Sequence, residues 1–106
     1  MANDMVHNTI PHWNPARREL TLGGMVIKRF RQRAGNQERV LMAFEEEGWP
    51  QKVLDPLPPN GETHPKRRLQ DTVYHLNRHH INKGLIRFEM DGTGEAVLWR
   101  EMVKAS

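Results

Sequence analysis

The chain contains no cysteine, and this absence excludes several classes of site at once. Without a thiol there is no disulfide, iron–sulfur cluster, cysteine-ligated zinc or thiol nucleophile. No apolar run approaches the roughly 18 residues that a membrane helix requires. Residues 1–8 also lack the charged start and apolar stretch of a signal peptide. We therefore expect a cytoplasmic protein that does not associate with membranes.

Aromatic and hydrophobic residues are scarce as well. Seven of the 106 residues are aromatic and 37% are hydrophobic, which favours one small domain with a thin core. Such a core leaves little room for a cofactor pocket or a catalytic cleft. The sequence has no glycine-rich phosphate loop, nucleophile elbow or defined carboxylate pair. We predict that the protein is not an enzyme and binds no cofactor.

The charged residues that are present are unevenly distributed. Residues 27–39 hold five basic residues and one acidic residue, and residues 65–80 hold four and one. Between them, Glu45, Glu46 and Glu47 form an acidic run at the end of a predicted helix, where carboxylates oppose the helix dipole. This run is either a solvated face or the partner of a nearby basic side chain. Clusters of positive charge favour an anionic partner such as nucleic acid.

The N-terminal third predicts an arm followed by a hairpin. Residues 1–16 show no regular period and are interpreted as an N-terminal arm, whereas residues 17–106 form the folded domain. Trp13 is expected to pack on the core, with ligand stacking as the alternative. Residues 19–31 predict two strands joined at Gly23 and Gly24.

The middle of the chain predicts a helix and a rigid loop. Asn36 is the expected N-cap of this helix, and Gly48 ends it. A short extended piece at 52–54 precedes a proline-rich loop that reaches residue 61.

The next segment predicts a basic helix over residues 65–80, with Pro65 in the first turn. At 100° per residue, one stripe faces the core. It consists of Leu69, Val73, Leu76 and His80, with Thr72 at its flank. The opposite face is rich in groups that bind nucleic acids, with Arg67, Asp71, Tyr74 and Arg78 at its centre. Its borders are Gln70 and Asn77 on one side and Arg68 and His75 on the other.

The C-terminal segment predicts a second hairpin. Residues 85–90 and 96–101 alternate in hydrophobicity and are joined by a glycine-containing turn at 91–94. The side chains expected to face the core are those of Ile86, Phe88, Val97 and Trp99.

The order of hairpin, helix, extended piece, basic helix and hairpin resembles a winged helix with extra N-terminal strands. Residues 67–78, with 85–88 and the turn before 97–99, resemble the end of response-regulator effector domains. In those domains a basic helix enters the major groove, and the following hairpin closes on an aromatic residue. Two helices normally precede the wing there. Here the proline-rich segment replaces or contains the second one. The resemblance implies an α+β winged-helix-like fold with an N-terminal β-hairpin, two main helices and a C-terminal β-hairpin, or wing.

A second resemblance rests on short motifs. The chain resembles a group of short, uncharacterised bacterial proteins that share Asn-Gln-Glu, Gly-Trp-Pro, Asp-Pro-Leu-Pro, Arg-Leu-x-Asp-Thr, Leu-Asn-Arg and Gly-Thr-Gly. These motifs occupy residues 36–38, 48–50, 55–58, 68–72, 76–78 and 92–94. The resemblance implies a family and no particular activity.

These observations predict a module that binds double-stranded DNA, of the kind found in transcription regulators, with the 65–80 helix in the major groove. Nucleic-acid binding requires cations that displace counterions, donors that reach base edges and a rigid element that fits a groove. The residues predicted to contact DNA from the helix are Lys66, Arg67, Arg68, Gln70, Tyr74, Asn77 and Arg78. The predicted accessory phosphate contacts are Arg29, Arg31 and Arg33.

Several alternatives remain open at this stage. A solvated charged face accounts for the basic helix without any ligand. A winged helix that docks onto a protein partner accounts for the same order of elements, with Trp13 or Trp49 as an apolar anchor. His75 and His79 are spaced as metal ligands are, but no third ligand is nearby, so no metal site is predicted. A single-strand or RNA mode is less favoured, since Tyr74 is the one aromatic residue placed on a basic face. The sequence leaves both a monomer and a weak dimer open.

Overall fold

The N-terminal part of the chain forms a three-stranded antiparallel sheet. In the computed structural model, which describes residues 10–59, 61 and 64–102, the strand order is β1-β2-β3. The strands are β1 (Pro11–Asn14), β2 (Glu19–Leu22) and β3 (Met25–Arg29). The predicted hairpin is β2–β3, and its turn places Gly23 and Gly24 at φ values of 58° and 83°, which glycine adopts at no steric cost. β3 ends at Arg29, two residues before the predicted end of the hairpin.

Part of the predicted N-terminal arm belongs to this sheet. Trp13 in β1 is 1% exposed, and its ring meets the Phe30 ring edge-on at a centroid distance of 5.4 Å. The expectation that Trp13 packs on the core is confirmed. Residues 1–9 of the predicted arm lie outside the described residues.

The first helix, α1 (Gly35–Glu46), buries Val40, Leu41 and Phe44. It begins earlier than predicted, because Ala34 and not Asn36 occupies the N-cap position. The Glu38 carboxylate accepts a hydrogen bond from the Ala34 backbone N–H at 2.9 Å. A carboxylate in the first turn thereby satisfies a backbone donor at the start of the helix, so a side-chain cap from Asn36 is not required.

A second antiparallel sheet contains β4 (Lys52–Leu54), β5 (Ile86–Met90) and β6 (Ala96–Glu101), in the order β4-β6-β5. The predicted C-terminal hairpin is β5–β6, with Phe88 opposite Trp99. The four side chains predicted to face the core are buried. The predicted extended piece at 52–54 is β4, so the hairpin gains a third strand from the segment between the helices.

The second helix, α2 (Pro65–Leu76), ends four residues before the predicted position. The prediction of a helix to residue 80 is therefore wrong at its C-terminal end. Asn77 occupies the C-cap position and His79 has a φ of 57°, which a right-handed helix does not contain. The helix ends here because tertiary partners hold the groups that follow it: Asn77 bonds to β5, and Lys28 binds carbonyls of His75 and Arg78.

The described residues thus contain two helices and two small antiparallel sheets, which confirms the α+β class. Between β4 and α2, the described residues 55–59, 61 and 64 are not helical. These described residues therefore do not form the intervening helix that the winged-helix resemblance left open. Among the described residues, neither helix has the length and hydrophobicity needed to span a bilayer.

β3 carries a bulge that turns a lysine inward. Thr21 faces Val26 and Leu20 faces Lys28, so Ile27 is an extra residue in the ladder. As a result Ile27 and Lys28, which are consecutive, are 0% and 6% exposed.

The chain that follows α2 covers the outer edge of β3. The Ile81 backbone N–H donates to the Ile27 carbonyl at 2.7 Å, and the Asn82 side-chain amide donates to the Val26 carbonyl at 2.6 Å. β3 is therefore joined to the segment 81–82 on the side that β2 does not cover.

Glu45, in the acidic run, joins α1 to the first sheet. Its carboxylate accepts the Trp13 backbone N–H and the Trp49 indole N–H, each at 2.8 Å, and lies 2.9 Å from His12 Nδ1. Burial acts to raise the pKa of Glu45, but the bonds from Trp13, Trp49 and His12 and the attraction of His12 outweigh it, so the pKa lies below its ordinary value. Glu46 and Glu47 are exposed.

The substitution Glu45→Ala should lower the free energy of unfolding by about 2 kcal/mol, because donors of Trp13 and Trp49 lose a charged acceptor. Urea denaturation followed by tryptophan fluorescence measures this loss. Since folding lowers the pKa of Glu45, its contribution is complete above the ordinary carboxyl pKa and disappears as the pH falls through the folded value. The difference in the free energy of unfolding between wild type and variant should therefore become smaller in acid. Glu46→Ala is the control, and an equal loss there would contradict this role of Glu45.

Candidate nucleic-acid interface

The side of α2 that faces away from the core is polar and exposed. Arg67, Asp71 and Tyr74 lie opposite Leu69 at 100° per residue, and all three are exposed whereas Leu69 is fully buried. Gln70 is exposed beside them. The helical period thus predicts this face correctly as far as the helix extends.

Arg78 reaches the same face without belonging to the helix. Its guanidinium carbon lies 5.2 Å from the centre of the Tyr74 ring, and its side chain donates a hydrogen bond to the Tyr74 hydroxyl. A cation over an aromatic face is attracted by the ring quadrupole. We call this surface the outer face. It consists of Arg67, Gln70, Asp71, Tyr74 and Arg78.

One flank of α2 packs against the C-terminal hairpin. The Lys66 side chain passes so close to the β5–β6 turn that a Cβ added at Gly94 would lie 3.2 Å from Lys66 Cδ. At the other end of α2, the Asn77 amide donates to the Phe88 carbonyl and accepts the Phe88 N–H, both at 2.9 Å. Asn77 therefore pairs with β5 as a neighbouring strand would, and its predicted role as a base contact competes with this role in the fold.

The turn of the hairpin carries a carboxylate that serves the turn. Asp91 Oδ1 accepts bonds from the Thr93 hydroxyl and from the Thr93 and Gly94 backbone N–H groups, at 2.7 to 3.1 Å. The Thr93 hydroxyl bond, together with these backbone bonds, lowers the pKa of Asp91 against the opposing effect of burial. Its other oxygen, Oδ2, lies 3.7 Å from Lys52 Nζ, so the carboxylate is engaged within the second sheet.

The other flank of α2 opens into a groove. Arg68 and His75 face the start of α1 and the end of β3 across two neighbouring concavities of about 440 and 280 Å³, which meet at Gln37 and His75. Two buried polar atoms, Arg68 Nε and Gln37 Oε1, have no hydrogen-bond partner among the described residues.

The three predicted accessory arginines lie in different environments. Arg29 is paired with Glu19, with Nη2 and Oε2 2.8 Å apart. Arg31 is exposed and lines the groove beside His75. Arg33 lines a separate concavity beside Arg18 and Glu38. The structure therefore brings Arg31 to the flank of α2 but does not bring Arg33 there.

The sequence pattern does not predict the role of Lys28. Its ammonium group donates to the carbonyls of His75 and Arg78 at 2.6 and 2.8 Å, at the end of α2 where the helix dipole is negative. Burial lowers the pKa of Lys28 from 10.5 to about 8. The alternation of β3 alone places Lys28 and Ile27 on opposite faces. The bulge that buries both residues has no separate signal in the sequence.

The histidines near the end of α2 are not arranged as a metal site. His80 is buried, and its ring Nε2 lies 2.7 Å from the Leu76 carbonyl. Burial, with a smaller contribution from the nearby Lys28 charge, lowers the pKa of His80 despite its bond to Leu76. His79 lies beyond the helix, so His75 and His79 do not share a helical face. Within residues 10–59, 61 and 64–102, no three His, Asp or Glu side chains are grouped as metal ligands.

No protein-family model matches this chain, and no curated protein or solved structure is significantly similar to it. The resemblances described above therefore remain interpretations of motif and element order.

The substitution Asn77→Ala should lower the free energy of unfolding by about 2 kcal/mol, because the N–H and carbonyl of Phe88 both lose their partner. Gln70→Ala removes an amide from the exposed side of the same helix and should change stability by less than about 0.5 kcal/mol. Chemical denaturation of both variants tests the assignment. Equal stabilities would contradict a structural role for Asn77.

The stability of the wild-type protein should rise with pH above about 8, relative to Lys28→Met. Because folding lowers the pKa of Lys28, the unfolded chain binds more protons between about 8 and 10.5, and the free energy of unfolding therefore increases with pH over that range. Urea unfolding of both proteins at several pH values measures the difference. A difference that does not change with pH would contradict the lowered pKa.

Proposed function

We propose that this protein binds double-stranded DNA through the outer face of α2, as a winged-helix-type module. The observation that carries the proposal is the exposure of Arg67 and Arg78 on one face, with a single carboxylate, Asp71, between them. Cations fixed on a rigid element displace the counterions condensed on DNA, and this term dominates affinity.

The dimensions of α2 support this mode of binding. The helix has 12 residues and is about 18 Å long, and the major groove is about 12 Å wide and admits a helix. α2 is supported along one flank by β5, β5 is paired with β6, and β6 is paired on its other side with β4. The helix and the hairpin therefore approach a duplex as one rigid unit.

The side chains of the outer face suit contacts to base edges and contacts to phosphates. Arg67 and Gln70 carry the donors that recognise guanine and adenine edges in the major groove. Arg78 is held against Tyr74, so less side-chain entropy is lost when it binds. The Asp71 carboxylate repels phosphates, which favours placing this part of α2 over the bases. There a carboxylate accepts a hydrogen bond from the cytosine amino group.

The two tryptophans predicted as apolar anchors of a protein-docking module are buried. Trp13 and Trp49 are 1% and 5% exposed, so neither is available to fill a pocket on a partner. This alternative then consists of an acidic protein that binds a sheet edge or, by charge, the outer face. Such a partner would compete with DNA for Arg67 and Arg78.

The double variant Arg67→Ala/Arg78→Ala should weaken duplex binding about tenfold or more, because arginine contacts to DNA contribute roughly 1–3 kcal/mol each. Fluorescence anisotropy of a labelled duplex of mixed sequence, between about 50 and 200 mM salt, measures the affinity, which should fall steeply with salt.

The matched control is Arg87→Ala/Arg100→Ala. It removes the same charge from exposed positions of β5 and β6, whose side chains alternate with the buried Phe88 and Trp99 and so point away from the core. Equal losses of duplex affinity in the two variants would mean that the effect depends on net charge and not on the outer face. Absence of duplex binding by the wild type at low salt would refute the proposal.

A further inference from the structure

The groove beside α2 carries several basic side chains among the residues that line it. We call it the side groove. One wall is the end of β3 and the loop that leads to α1, and the other is the flank of α2. Its basic side chains are those of Lys28, Arg29, Arg31, Arg68, His75 and His79. Asp71, at the rim next to the outer face, is the one carboxylate among its described lining residues.

The Lys28 ammonium donates to a carbonyl at the end of α2, and Arg29 forms an ion pair with Glu19. Of the four Lys and Arg side chains in the side groove, Arg31 and Arg68 are the two without such a partner among the described residues. Arg31 is exposed, whereas Arg68 is half-buried and its Nε is enclosed without a hydrogen-bond partner in the described part of the chain. A buried donor without an acceptor costs free energy, and a ligand oxygen recovers it once the Arg68 side chain turns to expose Nε.

The position of the side groove relative to the outer face indicates what it binds. Arg68 and His75 lie between the outer face and the core stripe on the helical wheel, on the side opposite to Asn77. When a helix lies in a major groove, its outward side chains meet the bases and its flanks approach the sugar-phosphate backbones. The hairpin occupies one flank of α2, and the other flank opens into the side groove.

We propose that the side groove receives the phosphate backbone of one DNA strand, with Arg68 and Arg31 as the phosphate ligands. This inference rests on the proposed function and deepens it, because it assigns Arg68 to the backbone and not to a base edge. It also excludes Arg33, which lines a different concavity. The two arginines come from segments far apart in sequence, so the site exists only in the folded chain.

The first test compares duplex binding by Arg31→Ala/Arg68→Ala with binding by the charge-matched Arg87→Ala/Arg100→Ala. Loss of two phosphate contacts should reduce the slope of log K against log salt by about 2 and weaken binding equally for unrelated sequences. Circular dichroism melting of each variant shows whether it is folded. A side-groove variant that is folded and binds like the control would overturn the inference.

The second test uses the wild-type protein without DNA and remains informative if the variant unfolds. Inorganic pyrophosphate is titrated into labelled protein, and the Nε–Hε signals of the arginines are followed by nuclear magnetic resonance. The Arg68 signal should shift saturably, while that of Arg100 moves little. Equal small shifts at Arg68 and Arg100 would overturn the inference.

The two tests separate failure of the inference from failure of the proposed function. If duplex binding depends on Arg67 and Arg78 but not on Arg31 and Arg68, the outer face binds DNA and the side groove does not. If pyrophosphate shifts Arg68 and no duplex binds, the side groove is a phosphate site, and the proposed function and the assignment of its ligand as DNA are both wrong.

Discussion

The ammonium group of Lys28 beneath the end of α2 fixes the first sheet to the helix that carries the basic surface. A buried charge is costly unless acceptors surround it, and here two carbonyls and the negative end of a helix dipole provide that environment. The same contacts stop α2 at Leu76 and set the position of Arg78. They also define one end of the side groove, because Lys28 lines it. Lys28 therefore helps to fix the backbone of Arg78, one of the cations of the outer face.

The parts of this fold that follow from local sequence are those with a strong period. The hairpin at Gly23 and Gly24 and the core stripe of α2 through Leu76 are of this kind. The C-terminal hairpin with Phe88 opposite Trp99 is another. Each depends on turn chemistry or alternation that a short window of sequence contains.

The features that sequence did not predict depend on partners distant in the chain. Asn77 ends α2 because Phe88 is beside it, and Lys28 turns inward because of a bulge opposite Leu20 and Thr21. The exposed part of the candidate site follows the helical period and was predictable at Arg67 and Tyr74. The pairing of Arg29 with Glu19 and the separation of Arg31 from Arg33 are set by tertiary structure, which explains why charge clustering alone grouped all three arginines.

The join between β3 and the segment 81–82 also bears on how copies of this protein meet. Exposed strand edges are templates on which a second chain can add a strand, and this is a common route to aggregation. On β3, the carbonyls of Val26 and Ile27 are already engaged by Asn82 and Ile81. An incoming strand would have to displace that segment, which is anchored directly after α2. Residues 81 and 82, which follow the basic helix in the chain, thus obstruct strand addition at this edge of the first sheet.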